Sequence, residues 1–196
     1  MPSVLGLTGL KRSAAFAAGI CLGGFVALAA PAQAQRPSTE PVSGVVKCGD
    51  SAYQLVRATT NRGKSGVRWA EAENAARRFT HDGRRARLAV IPNLEVHACV
   101  SDNLLPDSQN ETWIGLRYWC QYRSLQWTTG DLRAHGKPSP WAVQWSRYGT
   151  CQTQFAGVYY TPGSKRWQVV ESKKRFRYMI VEYPPASEAG QEQAEK

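Results

Sequence analysis

The chain of 196 residues is 42% hydrophobic, 20% charged and 10% aromatic, enough for one domain with a packed core and too apolar for a disordered chain. That excludes a multidomain enzyme. Lys and Arg number 25 against 15 Asp and Glu, a formal net charge of +10, and this balance points to a polyanionic partner, whether acidic glycan, lipid headgroup or nucleic acid.

At the N-terminus Lys11 and Arg12 precede an uncharged stretch from Ala14 to Ala30, then Pro31 and the small-residue pattern Ala32-Gln33-Ala34. This reads as a secretory leader over residues 1–34, cleaved after Ala34. Gly19, Gly23 and Gly24 interrupt the apolar run, whereas a membrane span needs about 20 strongly apolar residues. No transmembrane segment is therefore expected after cleavage, and the product is expected to be secreted or periplasmic. Removing Lys11 and Arg12 leaves residues 35–196 with a net charge of +8. Cys48, Cys99, Cys120 and Cys151 remain, an even number that in an exported chain predicts disulfides rather than metal ligands or nucleophiles. His97 and Cys99 are near neighbours, yet no Cys-x-x-Cys or His-x-x-x-His completes a zinc site. No metal or cofactor is expected.

Residues 35–47 are rich in Pro, Ser and Gly and read as a linker. Tyr53 to Arg57 alternates apolar and polar as a strand does. Trp69, Ala72, Ala76 and Phe79 then recur at helical spacing, with Ser65 as a start signal. A short buried strand is predicted at Leu88-Ala89-Val90-Ile91. Pro92-Asn93 opens a second helix whose face carries Val96, Cys99, Val100 and Leu104 and which ends before Pro106. Trp113 to Leu116 is an apolar strand, followed by a turn-rich region from Tyr118 to Cys151. Three strands follow, near Ala156 to Tyr160, Arg166 to Val170 and Tyr178 to Tyr183. Pro184-Pro185 stops the last, and residues 185–196 read as a disordered tail. Two early helices followed by mostly strands predict an α+β domain over 48–184.

These landmarks, in this order, resemble the C-type lectin-like domain. The pattern comprises Trp69-x-x-Ala72, Leu88-Ala89-Val90-Ile91, Glu95, the signature Trp113-Ile114-Gly115-Leu116, Leu125-x-Trp127 with Gly130, Trp141, Cys151, Trp167 and Tyr178-Met179-Ile180-Val181-Glu182. The resemblance implies two helices and antiparallel sheets that support a long irregular loop, with ligands bound on that loop and the adjacent strands.

The departures from the pattern bear on function. Members of that family join the first helix to the last strand by a disulfide, but Ala76 and Val181 stand at the matching positions. A second family disulfide would link Cys151 to the position occupied by Ser172. Four cysteines permit three pairings; the favoured one joins Cys48 to Cys99, tying the first strand to the second helix, and Cys120 to Cys151, closing the base of the long loop. Sugar-binding members hold Ca²⁺ with oxygens from a Glu-Pro-Asn or Gln-Pro-Asp triplet and a Trp-Asn-Asp triplet. The counterparts here are Lys137-Pro138-Ser139, or Gln144-Trp145-Ser146, and Trp167-Gln168-Val169. None supplies a carboxylate, so a Ca²⁺-dependent mechanism is not expected.

Aromatic side chains and arginines are interleaved through the loop region. Ring faces stack on a sugar and guanidinium forks take an anion in two hydrogen bonds, so Arg117, Trp119, Arg123, Lys137, Trp145, Arg147 and Tyr148 are the candidate ligand-binding residues. Trp119, Trp145 and Tyr148 are expected to be exposed, and Trp127 and Trp141 to belong to the core. Further basic clusters lie at Arg84-Arg85-x-Arg87, Lys165-Arg166 and Lys173-Lys174-Arg175-x-Arg177. Each reads either as part of a polyanion footprint or as ordinary solvated charge.

Catalytic readings fail. Cys48-Gly49-Asp50-Ser51 resembles a serine-protease nucleophile segment, but Ala52 follows it and all three histidines lie downstream. Gly63-Lys64-Ser65 lacks the glycine five residues earlier that a phosphate-binding loop requires. The sequon Asn110-Glu111-Thr112 matters only in a glycosylating pathway. The sequence therefore predicts a non-enzymatic, metal-independent lectin-like module for an anionic glycan or envelope polysaccharide, with no specific nucleic-acid partner. The alternative is a protein-interaction or adhesion module with a protein receptor.

Overall fold

The computed structural model of the protein describes residues 36–60, 63, 65–105, 109–132, 140–143, 148 and 151–186. The leader read over 1–34 and all but the first two residues of the tail lie outside them. The described chain forms, in order, β1 (Ser38–Pro41), β2 (Val46–Cys48), β3 (Ser51–Thr59), α1 (Trp69–Ala76), β4 (Thr80–His81), β5 (Arg84–Arg85) and β6 (Arg87–Leu88). It continues with α2 (Leu94–Leu104), β7 (Thr112–Trp119), β8 (Ser124–Trp127), β9 (Phe155–Tyr160), β10 (Trp167–Glu171) and β11 (Tyr178–Tyr183). Two helices on a mostly antiparallel sheet make the α+β class expected from the element order.

The main sheet runs β1-β3-β11-β7-β9-β10, with β2 also on β3, β6 on β11 and β8 on β7. Among the described strands β11 and β7 are the one pair that runs parallel, Tyr178 beside Thr112 and Met179 beside Trp113. Alternation along β7 divides the core, because successive side chains of a strand point to opposite faces. Ile114, Leu116 and Tyr118 join Val96, Val100 and Leu104 of α2 in one buried cluster. Trp113 joins Trp69, Ala72, Ala75 and Ala76 of α1 in the other. Two tryptophans lock α1 to the sheet: the Trp69 indole donates to the Ile114 carbonyl at 2.8 Å and the Trp113 indole to the Val67 carbonyl at 2.9 Å. Ala76 and Val181, where the resemblance would place a disulfide, are both fully buried in the α1 cluster. Burying a side chain such as Val181 contributes about 1.5–3 kcal/mol, so apolar packing holds the two elements there in place of a covalent link.

Three expectations are corrected. The segment 35–47, read as a linker, carries β1 and most of β2. β1 pairs antiparallel with β3 from Ser38 opposite Thr59 to Pro41 opposite Val56, and Pro41 is tolerated because the strand is at the sheet edge. Helix α1 starts at Trp69 rather than near Ser65, because Ser65 bridges to Thr60 and Val67 to Phe176. Its first turn is closed by the Glu71 carboxylate, which accepts from the Arg68 backbone N–H at 2.9 Å. The strand predicted at 88–91 is only Arg87–Leu88, although the Ala89 N–H still donates to the Ile180 carbonyl at 3.0 Å. Residues Thr80–Arg85, for which no element was predicted, form a small hairpin around Asp82-Gly83, both at positive φ (49° and 73°) as a tight two-residue turn requires. Helix α2 begins where predicted: the Asn93 side chain accepts from the Val96 N–H at 2.9 Å and caps it.

Cys48 is bonded to Cys99 and Cys120 to Cys151, with Cα–Cα distances of 5.8 and 5.7 Å. The first ties β2 to α2. The second joins the end of β7 to the segment entering β9. Glu182 is 2% exposed yet fully satisfied: it accepts from Ser51, from Arg87 Nε at 2.9 Å and from the Val90 N–H at 2.9 Å.

Candidate functional site

Arg117 and Trp119 are two residues apart on β7, so they share the face that α1 covers further along. Directly opposed residues on antiparallel neighbours lie on the same face. On β8, Gln126 is opposite Arg117 and Ser124 opposite Trp119. On β9, Gly157 is opposite Arg117 and Phe155 opposite Trp119. Leu132 bridges to Gln126 from the other side and is 71% exposed. Strand register thus gathers one guanidinium, two aromatic rings and an amide at the open end of the α1 face.

The guanidinium carbon of Arg117 lies 4.6 Å from the centroid of the Trp119 ring, 5.5 Å from Trp69 and 6.0 Å from Phe155. Each contact is at cation–π range, and such attraction strengthens as water is excluded. Gly157 makes the arrangement possible. A Cβ there would come within 2.8 Å of both Trp69 Cδ1 and Trp113 Cζ3, so only glycine lets the Trp69 ring reach over the strand toward Arg117. Trp119 is fixed in turn: its indole N–H donates to Gln126 Oε1 at 2.6 Å, its ring meets Phe155 edge-on at 5.7 Å, and the Gln126 amide donates to the Gly130 carbonyl at 2.7 Å.

Arg117 is half-buried, and its Nε is buried with no hydrogen-bond partner among the described residues. No described carboxylate lies within ion-pair distance of Arg117. That contrasts with Arg87, paired to Glu182 at 2.9 Å, and Arg175, paired to Glu71 at 2.8 Å. The cluster therefore presents a positive charge that is positioned by rings and uncompensated by any described carboxylate.

The other candidates are divided from this pair. Tyr148 lies on the opposite face with Tyr118, edge-on at 5.7 Å. Its hydroxyl donates to Glu171 at 3.1 Å, and burial, with the Glu171 charge second, pushes its pKa up to about 12. Tyr148 was expected to be exposed but is half-buried against the α2 cluster, because Glu171 also accepts from Thr153 at 3.0 Å and anchors this part of the chain. Trp119 is likewise half-buried rather than exposed. Arg123 is exposed in the turn between β7 and β8 at φ +48°. Lys137, Trp145 and Arg147 lie outside the described residues. Trp127 is buried as expected, and Trp141 packs partly buried against the same cluster, edge-on to Trp167 at 5.6 Å. Gln126 and Phe155 complete the Arg117 cluster and were absent from the sequence-based set. The short turn after Trp119 gives the Gln126 register, but no local signal places Phe155 beside Trp119, since that pairing spans the long loop.

On β10, where the family's Trp-Asn-Asp triplet would fall, Gln168 Oε1 accepts from the Tyr159 hydroxyl at 3.0 Å and Val169 is buried in the core. Among the described residues no group of three or more His, Cys, Asp or Glu side chains is arranged to hold a metal ion. The basic clusters are largely engaged within the fold. Arg84 donates to Asp82 and to the Pro184 carbonyl, Lys165 pairs with Asp102 at 3.7 Å, Arg166 donates to the Trp141 carbonyl at 3.5 Å, and Lys173 donates to Gln152 at 3.1 Å.

No protein-family model matches the sequence, and no curated protein matches it. Solved structures match in shape. The C-type lectin CEL-I from Cucumaria echinata superposes with TM-score 0.52 at 15% identity, covering 70% of this chain and 93% of that one. The cow C-type carbohydrate-recognition domain of CD23, solved in the presence of a GlcNAc2Man3 oligosaccharide, gives 0.51 at 15% identity over 73% and 96%. A calcium-independent type II antifreeze protein gives 0.50 at 16% identity over 74% and 95%. The chain has the C-type lectin-like fold, and at this identity the likeness extends to the fold alone.

Proposed function

We propose that the protein is an exported, metal-independent binding module that captures acidic glycans, such as an anionic cell-envelope polysaccharide. The observation that carries this reading is Arg117, a half-buried guanidinium held among three aromatic rings with no described carboxylate to neutralise it. A charged fork beside an aromatic ring suits a ligand that offers a ring to stack and an anion to accept. The charge of +8 left after leader removal favours the same class of ligand and speeds its encounter. Two disulfides fit an oxidising compartment outside the cytosol. Among the described residues no helix is long and apolar enough to cross a membrane. The Gln168 and Val169 side chains of β10 are a hydrogen-bonded amide and a core residue, which supports capture without a bound cation.

The test is binding of the mature chain to acidic and neutral polysaccharides of matched size, with and without chelator, over a salt series. The expected result is binding to the acidic polymers alone, unchanged by chelator and weakened steeply by salt. Absence of binding to every acidic polymer, or its loss with chelator, overturns the reading.

One observation favours a second reading. Tyr122, Leu132 and Val143 are 69%, 71% and 53% exposed, and large apolar side chains in the open are what a protein interface buries. A protein ligand retained at high salt would favour adhesion or protein interaction over glycan capture.

A further inference from the structure

Resting on the proposal that the ligand is acidic, we infer that the group recognised at Arg117 is a single planar carboxylate, as on a uronic acid residue. We also infer that the ligand lies on the α1-side face of β7, β8 and β9 rather than on the Tyr148 face. Rings at 4.6, 5.5 and 6.0 Å crowd the guanidinium, and Nε is buried without a described partner, which leaves the two terminal nitrogens to meet an acceptor. Two parallel N–H donors at that edge match the two oxygens of a carboxylate in plane, the end-on form of bidentate recognition.

The neighbouring polar groups reinforce the choice of an anion over a neutral sugar. The Trp119 N–H is already given to Gln126, and the Gln126 amide is given to Gly130. The terminal nitrogens of Arg117 are thus the main donors the cluster offers, and a neutral hydroxyl would displace their water without a charge to compensate. Beside them the half-buried Trp119 ring supplies a surface for the sugar, and exposed Leu132 forms an apolar border next to Gln126.

The test compares immobilised polygalacturonate, its methyl-esterified form and dextran sulfate as ligands for the wild-type chain and four variants. These are Arg117→Lys, which keeps the charge but loses the fork; Arg117→Met, which keeps the packed stem; Trp119→Leu; and Arg85→Met, which removes one exposed charge on a separate hairpin. Thermal melts of each variant verify that it folds. The wild type is expected to bind polygalacturonate and to lose binding on esterification. Arg117→Lys should weaken binding about tenfold and Arg117→Met more, since lysine keeps the charge but not the paired donors and methionine keeps neither. Arg85→Met should stay within about twofold, as a lone exposed charge does. Equal losses in folded Arg117→Met and Arg85→Met overturn the inference while leaving the acidic-ligand reading intact. Undiminished binding to the esterified polymer, or dextran sulfate binding at least as well with no loss in Arg117→Lys, overturns the carboxylate assignment. A wild type that binds no acidic polymer removes both the inference and the reading beneath it.

Discussion

Gly157 illustrates how one residue sets the geometry around it. A methyl group there would stand 2.8 Å from two tryptophan rings that are both fully buried, and neither ring can swing away without giving up the hydrogen bond it donates to backbone. Gly157→Ala should therefore cost about 1–3 kcal/mol, the range for overpacking a closed core, seen as a fall in melting temperature of about 2–12 °C for a domain of this size. Gly115 is tighter still, because its Cβ would meet the Leu88 carbonyl oxygen at 2.3 Å. Backbone cannot give as a side chain can, so Gly115→Ala should fail to yield folded protein where Gly157→Ala still does; comparable melts for the two would contradict the argument. His97 carries a different prediction. It shares a 2.8 Å hydrogen bond with the Tyr160 hydroxyl, stacks on that ring at 5.5 Å and meets Trp167 edge-on. Burial lowers its pKa below the ordinary 6.5, opposed by the nearby Asp102 charge. The unfolded chain then binds more protons than the native state between the native pKa and 6.5, and stability rises with pH through that window. Wild-type melting temperature should fall as pH drops below 6.5, and the His97→Gln variant should lack that component; an identical pH dependence in the two would refute it.

At the scale of elements, the Cys120–Cys151 bond fixes where the long loop begins and ends. It closes a loop of 31 residues, and on the chain-entropy view that constraint contributes about 3–4 kcal/mol. Glu171 adds a second tie on the same segment, accepting from Tyr148 and Thr153. Replacing both cysteines by serine should lower the melting temperature by about 6–16 °C while β7 and β9 stay paired, since their register also rests on Trp119 beside Phe155 and Arg117 beside Gly157. Hydrogen exchange of the β7 and β9 amides would check this, and loss of their protection in the double variant would show that the bond holds the strands as well as the loop. Much at this scale was legible in the sequence. Alternation in Trp113–Trp119 separates the two core clusters, and Pro92-Asn93 announces α2. What was not legible was decided by partners distant in sequence. Nothing in Ser38-Thr39-Glu40-Pro41 reveals that β3 will pair with it, and Ser65 looks like a helix start until Thr60 takes it into a bridge. For the same reason a candidate set drawn from consecutive loop residues mixed two faces: Trp119 and Tyr148 both belong to aromatic clusters, but the sheet lies between those clusters.

For the molecule as a whole, on the proposal that it binds without a metal, the question is what holds the long loop in place of the Ca²⁺ that the resemblance to sugar-binding lectins would imply. A bound ion stabilises the state that holds it, by about 2.7 kcal/mol at a hundredfold excess over its dissociation constant, which in a domain of this size is a shift of about 5–10 °C. On that proposal the loop is held by a disulfide at its base and a glutamate that pins Tyr148 and Thr153, while Val169 is packed in the core. None of these responds to calcium. The melting temperature should therefore be the same within about 1 °C in millimolar Ca²⁺ and in excess chelator, the shift expected when nothing binds. Monovalent salt should act differently: it screens the excess positive charge of a chain with 25 Lys and Arg against 15 Asp and Glu, relieving self-repulsion while weakening any bound polyanion. Added salt should thus hold or raise the melting temperature of the free protein and lower that of its mixture with an acidic polymer. A calcium-dependent rise of several degrees, with salt moving both samples in the same direction, would mean that the loop is built around an ion after all.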